Sequence, residues 1–230
     1  AGGSYIVDPV TVDELSSLAR FSGHPAIPRR SPFHALNQKA TARHYARQAG
    51  KAYQEINLIV AHLGGGISVG VHQHGLVVDV NNALDGEGPF SAERTGGLPL
   101  GDFIRLGCRS GEDGRRLCDQ DRLLRLVIRE GGLVGYAVTN DLREVEERAR
   151  SGDGESALLL EAMAYQVAKE IGAGAAVLKG EVEAVILTGG MSFSERLTTL
   201  ISERVGVIAP VVIIPGEKEI EAMVEGVLRV

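Results

Sequence analysis

The sequence predicts an α/β fold: a three-strand antiparallel meander followed by helices that alternate with parallel strands. Three observations predict it. Apolar runs at 57–62, 67–72 and 76–80 succeed one another with short turns, the last two joined through Gln73-His74 with Gly75 in the turn. Beyond them the apolar period lengthens to that of helices, and the chain closes with strand 184–188, helix 194–204, strand 211–214 and helix 217–228. Runs such as Val185-Ile186-Leu187 are apolar without alternation, the pattern of strands covered on both faces, as in a parallel sheet.

The remaining elements follow in order. After Asp8-Pro9, the spacing of Val12, Leu15, Leu18 and Ala19 predicts a short helix over 12–20, ended by Gly23-His24-Pro25-Ala26-Ile27-Pro28. A second helix is predicted over 33–49 on Ala35, Leu36, Ala40 and Tyr45, with Gly50 closing it. Past the loop 81–97 come helices near 98–107 and 119–129. A Gly131-Gly132 break and a short extended stretch to Thr139 lead to a polar helix over 141–150 and a long apolar one over 155–178. Three meandering strands followed by α-β-α-β-α form a ribonuclease-H-like arrangement.

Composition narrows the function classes. With 230 residues, 44% of them hydrophobic, the chain can bury a full core. A net charge of −6, with only the short basic pairs Arg29-Arg30 and Arg115-Arg116, argues against a nucleic-acid partner, because phosphate backbones are bound by clustered cations. Cys108 and Cys118 are ten positions apart without a His or Cys at metal spacing, so neither zinc nor a disulfide framework is indicated. No apolar run has bilayer length and no charged-then-apolar leader opens the chain, so a soluble, cytoplasmic protein is expected. The start at Ala1-Gly2-Gly3, with Tyr5-Ile6-Val7-Asp8 resembling a strand end, leads to the expectation of a fragment.

The chemistry concentrates in His62-Leu63-Gly64-Gly65-Gly66-Ile67-Ser68, where three adjacent glycines lie between two strands. Such a turn can adopt positive φ and aim successive N–H groups into one concavity that cradles phosphate oxygens. A second strand-to-glycine turn, Thr188-Gly189-Gly190, precedes a helix N-terminus. Two such turns at the carboxyl ends of strands in a doubly covered sheet suit a polyphosphate.

Three runs carry a resemblance. Arg29-Arg30-Ser31-Pro32-Phe33-His34-Ala35-Leu36-Asn37-Gln38-Lys39-Ala40, His62 through Gly70, and Asp79-Val80-Asn81-Asn82-Ala83-Leu84-Asp85-Gly86-Glu87-Gly88-Pro89-Phe90-Ser91 resemble the acetate kinase family, and within it the kinases of butyrate. The resemblance covers essentially the whole chain. It implies the fold superfamily shared with sugar kinases, actin and heat-shock chaperones. It also implies that residues 1–55 are a domain-junction segment with helices and 56–230 a C-terminal nucleotide-binding domain, an N-terminal kinase domain being the missing partner. The implied reaction is reversible transfer of the ATP γ-phosphoryl group to butyrate or a related short-chain carboxylate, with magnesium, as in fermentation. Gly65 stands where acetate kinases usually have Asn, which disfavours acetate; acetate and branched-chain acids are the close alternatives, and an isolated, non-catalytic nucleotide-binding half-domain is a third. Relatives pair through this domain, which implies a homo-oligomer.

Site residues are carried over position by position. His34 matches a histidine that contacts the transferred phosphoryl group, as cation or donor, although Ala35 replaces the family's glycine. Asp8 matches an aspartate near the domain junction. Arg109 falls in register with a catalytic arginine, and Arg94 is its rival. His62, Gly64, Gly65 and Gly66 match a phosphate loop. Thr139, Asn140, Asp141 and Arg143 match the adenosine segment, where Asp141 suits ribose hydroxyls and Arg143 can lie across the base; otherwise Asn140 or Asp141 is simply a helix N-cap. Gly189 and Gly190 support the nucleotide from the other side. Glu217 and Glu219 match a helix-start acid that binds magnesium, Glu219 being favoured by register.

Overall fold

A computed structural model describes residues 6–109, 118–217 and 219–228; of residues 219–221 and 225 only the helical backbone is described. Arg115-Arg116 and the N-terminal residues 1–5 lie outside the described part. Five strands, β1 (Asn57–Leu63), β2 (Ile67–Gln73), β3 (Leu76–Val80), β4 (Ala184–Thr188) and β5 (Val211–Ile213), form one sheet in the order β3-β2-β1-β4-β5. The first three pair antiparallel, and β4 and β5 join β1 in parallel. This is the meander followed by crossovers that the sequence predicts.

Alternation along the buried strands divides the core. Ile59, Ala61 and Leu63 of β1, Val69 and Val71 of β2, and Val185 and Leu187 of β4 point to one face. There they meet α6 (Gly154–Val177), which contributes the stripe Leu160, Met163, Ala164, Val167 and Ile171, with α5 (Leu142–Arg150) and α7 (Glu195–Val205) beside it. Leu58, Val60, Ala184 and Ile186 point to the other face, under Ala42 and Ala46 of α1 (Ala35–Gln48). Both faces are dry, which explains the continuous apolar runs. Helix α1 therefore packs on the same sheet as residues 56–230, and no break in packing falls at residue 55. The other helices are α2 (Leu100–Gly107), α3 (Gln120–Ile128), α4 (Gly132–Ala137) and α8 (Glu219–Leu228).

Two expected elements differ. Residues 12–20 form only the short 3-10 turn Leu18–Arg20. The apolar spacing there serves packing: Leu15 and Ala19 are buried with Phe33, Val77 and Val80, and the Ser16 N–H donates to Val78 O (2.9 Å) on β3, so this backbone bonds to the sheet edge instead of to itself. The stretch expected to be extended before Thr139 contains α4, which forms although Gly and β-branched residues favour it poorly. Tertiary contact overrides propensity: Leu133 is fully buried, its N–H donates to Ser91 O (3.1 Å), and Gly132, at φ 57°, lets the backbone approach that carbonyl. Smaller differences are caps. Ser194, expected as a first helical residue, is an N-cap whose side chain accepts from Leu197 N, and Asp141 takes the N-cap place that the sequence allowed it, accepting from Arg143 N.

Candidate functional site

The parallel pairing of β1 and β4 sets His62 opposite Thr188, so both glycine turns leave the sheet at the carboxyl ends of these central strands. Gly189 has φ 89° and forms an antiparallel bridge with Gly216 (N···O 3.1 and 3.3 Å). A Cβ on Gly189 would come within 2.5 Å of Leu63 O, so this glycine is fixed by both backbone conformation and space. The first turn differs from expectation, because none of Gly64, Gly65 and Gly66 has positive φ. Gly66 is needed for close approach: a Cβ there would fall on the Arg94 guanidinium. Gly65 and Gly190 face open space.

Around these turns the fold collects the chemically active side chains. His34 is the N-cap residue of α1 and His62 lies near the end of β1; their rings stack with centroids 3.8 Å apart and planes 10° apart. His34 Nδ1 lies 2.8 Å from Ser68 Oγ, and His62 Nδ1 lies 2.8 Å from Asn37 Oδ1. Asn37 Nδ2 donates to Gly216 O (3.3 Å), and His62 Nε2 lies 3.1 Å from Glu217 Oε1. Arg94 donates to Ala83 O (2.6 Å), and the Ser91 hydroxyl donates to Gly65 O (2.6 Å), holding the loop and turn together.

Electrostatics follow from burial. Desolvation, with His62 and Arg94 adding to it and Glu217 opposing, pulls the His34 pKa down to about 3. Burial thus favours the neutral form of the His34 imidazole. The hydrogen bond from His62 holds the Glu217 carboxyl below its usual value.

The other predicted residues lie as follows. Arg94 is among the charges that act on His34 and Arg109 is not; Arg109 sits exposed just past α2, its N–H donating to Leu106 O (3.3 Å). Asp8 is drawn to α1, pairing with Arg43 (2.8 Å) and Lys39 (3.6 Å). Asp141 and Arg143 form an ion pair (2.6 Å), Asp141 N donates to Thr139 Oγ1 (3.1 Å), and Asn140 Nδ2 donates to Glu93 Oε1 (2.8 Å). A cavity of about 600 Å3 lies between this segment and the turn after β4. Asn140, Asp141 and Arg143 line one side, and Gly190, Met191 and Phe193 the other. Phe193, exposed at its wall, carried no signal in the sequence beyond its place after the glycines. Asn37, Gln38 and Ser68 lie inside the runs that carry the family resemblance, but nothing in the sequence showed their roles, which depend on partners from other elements.

No group of three or more His, Cys, Asp or Glu side chains suited to a metal occurs among the described residues. Magnesium commonly keeps several waters and takes one or two carboxylates, a requirement that the half-exposed carboxylate of Glu217, held low in pKa beside the glycine turns, could meet. Glu219 opens α8, and its side chain is outside the described part.

This geometry can be set beside known proteins. The model of the acetokinase family matches residues 22–206. Butyrate kinase 2 and butyrate kinase 1 of Clostridium acetobutylicum are 51% and 52% identical to the chain over 227 residues, covering 99% of it and 62% of each relative. The chain thus spans 62% of the length of these curated relatives. Among solved structures, the acetate kinase of Porphyromonas gingivalis matches with a TM-score of 0.80 at 18% identity, over 93% of this chain and 60% of that one. A propionate kinase of Francisella tularensis matches with a TM-score of 0.77 at 20% identity, over 90% and 59%. These two likenesses establish the fold, the α/β arrangement that the chain shares with those two structures.

Proposed function

The chain belongs to the acetokinase family, and from that premise we propose that it forms the nucleotide-binding part of a kinase that transfers the γ-phosphoryl group of ATP to a short-chain carboxylate, butyrate before acetate. The observation that carries the reading is the convergence near the carboxyl ends of β1 and β4 of the stacked His34–His62 pair, Arg94 against Gly66, and Glu217 on His62, with the turn after β4 leading on through Gly190 to line the cavity of about 600 Å3. The preference for butyrate rests on the butyrate kinase relatives and on Gly65.

Phosphoryl transfer asks for positioning and charge stabilisation more than for covalent help. In this reading the adenosine occupies the cavity between Asn140–Arg143 and Gly190–Phe193, its base against Phe193 and Arg143, and the phosphates run toward Gly64–Gly66. The open space over Gly65 and Gly190 admits them, because no Cβ intervenes. Arg94, whose guanidinium is held by the Ala83 carbonyl, supplies fixed positive charge at the transferred group. His34 donates a hydrogen bond to an oxygen of that group and keeps its proton. Glu217, with Glu219, would hold magnesium, which when bound neutralises charge on the phosphate oxygens. Asp8, tied to Lys39 and Arg43, acts on the placement of α1 and so of His34.

Calorimetric titration of the chain with Mg-ADP, together with an acyl-phosphate assay on butyrate and acetate, tests the reading. Nucleotide binding and turnover on butyrate are expected from the full-length protein. Binding without turnover by the full-length protein would leave a nucleotide-binding module, and no binding by the full-length protein would remove the proposal.

A further inference from the structure

Beneath His34 runs a line of buried polar groups that the phosphoryl-transfer reading does not use. Ser68 and His72 on β2, Gln38 on α1, and Tyr53 before β1 are all buried, Ser68, His72 and Gln38 completely. Gln38 Nε2 donates to Ser68 O (3.0 Å) and to Ser68 Oγ (2.8 Å). Gln38 Oε1 lies 3.1 Å from His72 Nε2, and the Tyr53 hydroxyl lies 2.7 Å from His72 Nδ1. A Cβ on Gly70 would fall on Gln38 Oε1, so that glycine makes the room in which the amide sits.

The direction of the bonds from Gln38 to Tyr53 follows from one group that cannot change role. A backbone carbonyl only accepts, so Ser68 O fixes which end of the Gln38 amide faces it: the NH2, not the oxygen. Oε1 then points at His72, whose Nε2 must carry the proton, and His72 Nδ1 is left to accept from the Tyr53 hydroxyl. At the other end, Ser68 Oγ accepts from Gln38 and, at 3.5 Å, faces the His34 backbone N–H, so its single proton goes to His34 Nδ1.

We propose that Gln38, oriented by the Ser68 carbonyl and backed by His72 and Tyr53, is a positioning residue that fixes the tautomer of His34, with Nδ1 accepting from Ser68 and Nε2 carrying the proton. Burial keeps both imidazoles neutral at pH 7, so the tautomer and not the charge is the property being set. The tautomer rests on the hydrogen-bond geometry alone. Its use, a fixed Nε2–H donor for a phosphoryl oxygen with neither ring nitrogen free as a nucleophile, rests on the kinase reading above.

The test is 15N NMR of the intact, histidine-labelled protein at neutral pH, with His34→Gln and His72→Gln spectra to assign the signals. Nδ1 is expected to be pyridine-like and Nε2 pyrrole-like in both His34 and His72. A proton on Nδ1 of either ring would overturn the proposal. In Gln38→Leu the His34 signals should move toward a mixture of tautomers, and kcat should fall about 10- to 100-fold with KM for nucleotide little changed. An unaltered His34 tautomer in a folded Gln38→Leu protein would reduce Gln38 to a packing role and sink the proposal, and if that variant fails to fold the spectrum of the unsubstituted protein still decides. The expected tautomers in a protein without acyl-phosphate turnover would remove the kinase reading and leave the hydrogen-bond line standing.

Discussion

The imidazoles of His34 and His62 stack face to face, 3.8 Å between centroids, although one caps a helix and the other ends a strand. Each ring is held from its own side, His34 by Ser68 and His62 by Asn37 and Glu217, so the pair forms a rigid wall beside the Gly64–Gly66 turn. If His34 serves the transferred group, His34→Ala in the intact protein should lower kcat about 100-fold or more while KM for nucleotide changes by less than about 3-fold. Steady-state kinetics checks this, and equal losses in both parameters would remove His34 from the transition state.

Two arginines compete for one role, and their places differ. Arg94 lies against Gly66 and acts on His34, whereas Arg109 is exposed beyond α2. Arg94→Ala is expected to lower kcat by about 100-fold or more and Arg109→Ala by less than about 3-fold. The reverse order in the acyl-phosphate assay would exchange their assignments.

Glycines at the site separate space for the protein from space for a ligand. Gly189→Ala puts a Cβ against Leu63 O at φ 89° and should cost on the order of 3 kcal/mol, read from the urea midpoint. Gly65→Val meets open space, so the melting temperature should hold within about 2 °C while Kd for Mg-ADP rises about 10-fold. A Gly65 variant that binds nucleotide normally would show that the phosphates do not pass there.

His72 makes stability depend on pH. Complete burial, with Lys39 and Arg43 near it, pulls its pKa from 6.5 to about 3. Between those values the unfolded chain binds a proton that the folded one does not, so stability is full above pH 6.5 and falls as pH drops toward 3. For one such group the loss from pH 7 to pH 5 is about 2 kcal/mol. Urea melts at the two pH values measure it, and His72→Asn should flatten the slope; an unchanged slope would assign the acid sensitivity to other groups.

Much of this was legible in the sequence because it is local. The β1–β2–β3 meander was readable from apolar runs and from His74-Gly75, both at positive φ in the turn. Helix α6 was readable to within a residue at each end because a long apolar stretch at helical spacing fills it; that Asp153 caps it, accepting from Glu155 N, came from the structure. The glycine turns and the long motif around His34 were readable as motifs, and the fold brings them together near the carboxyl ends of β1 and β4. What misled was also local: the spacing of Val12, Leu15 and Ala19 suits a helix, yet those residues pack on β3, and the weak helix former 132–137 is helical because Leu133 is buried.

By itself the sequence determined the order of the elements, the two buried faces of the sheet and the family, since period, caps and turn residues are properties of short stretches. Only the tertiary structure decided that Arg94 lies against the Gly66 turn while Arg109 is exposed beyond α2, why Gly66 must lack a Cβ, and that Ser68, Gln38, His72 and Tyr53 form one line. Those relationships join residues from different strands and helices, and their energetics depend on burial, which removes competing water and forces each polar group to find a partner within the protein.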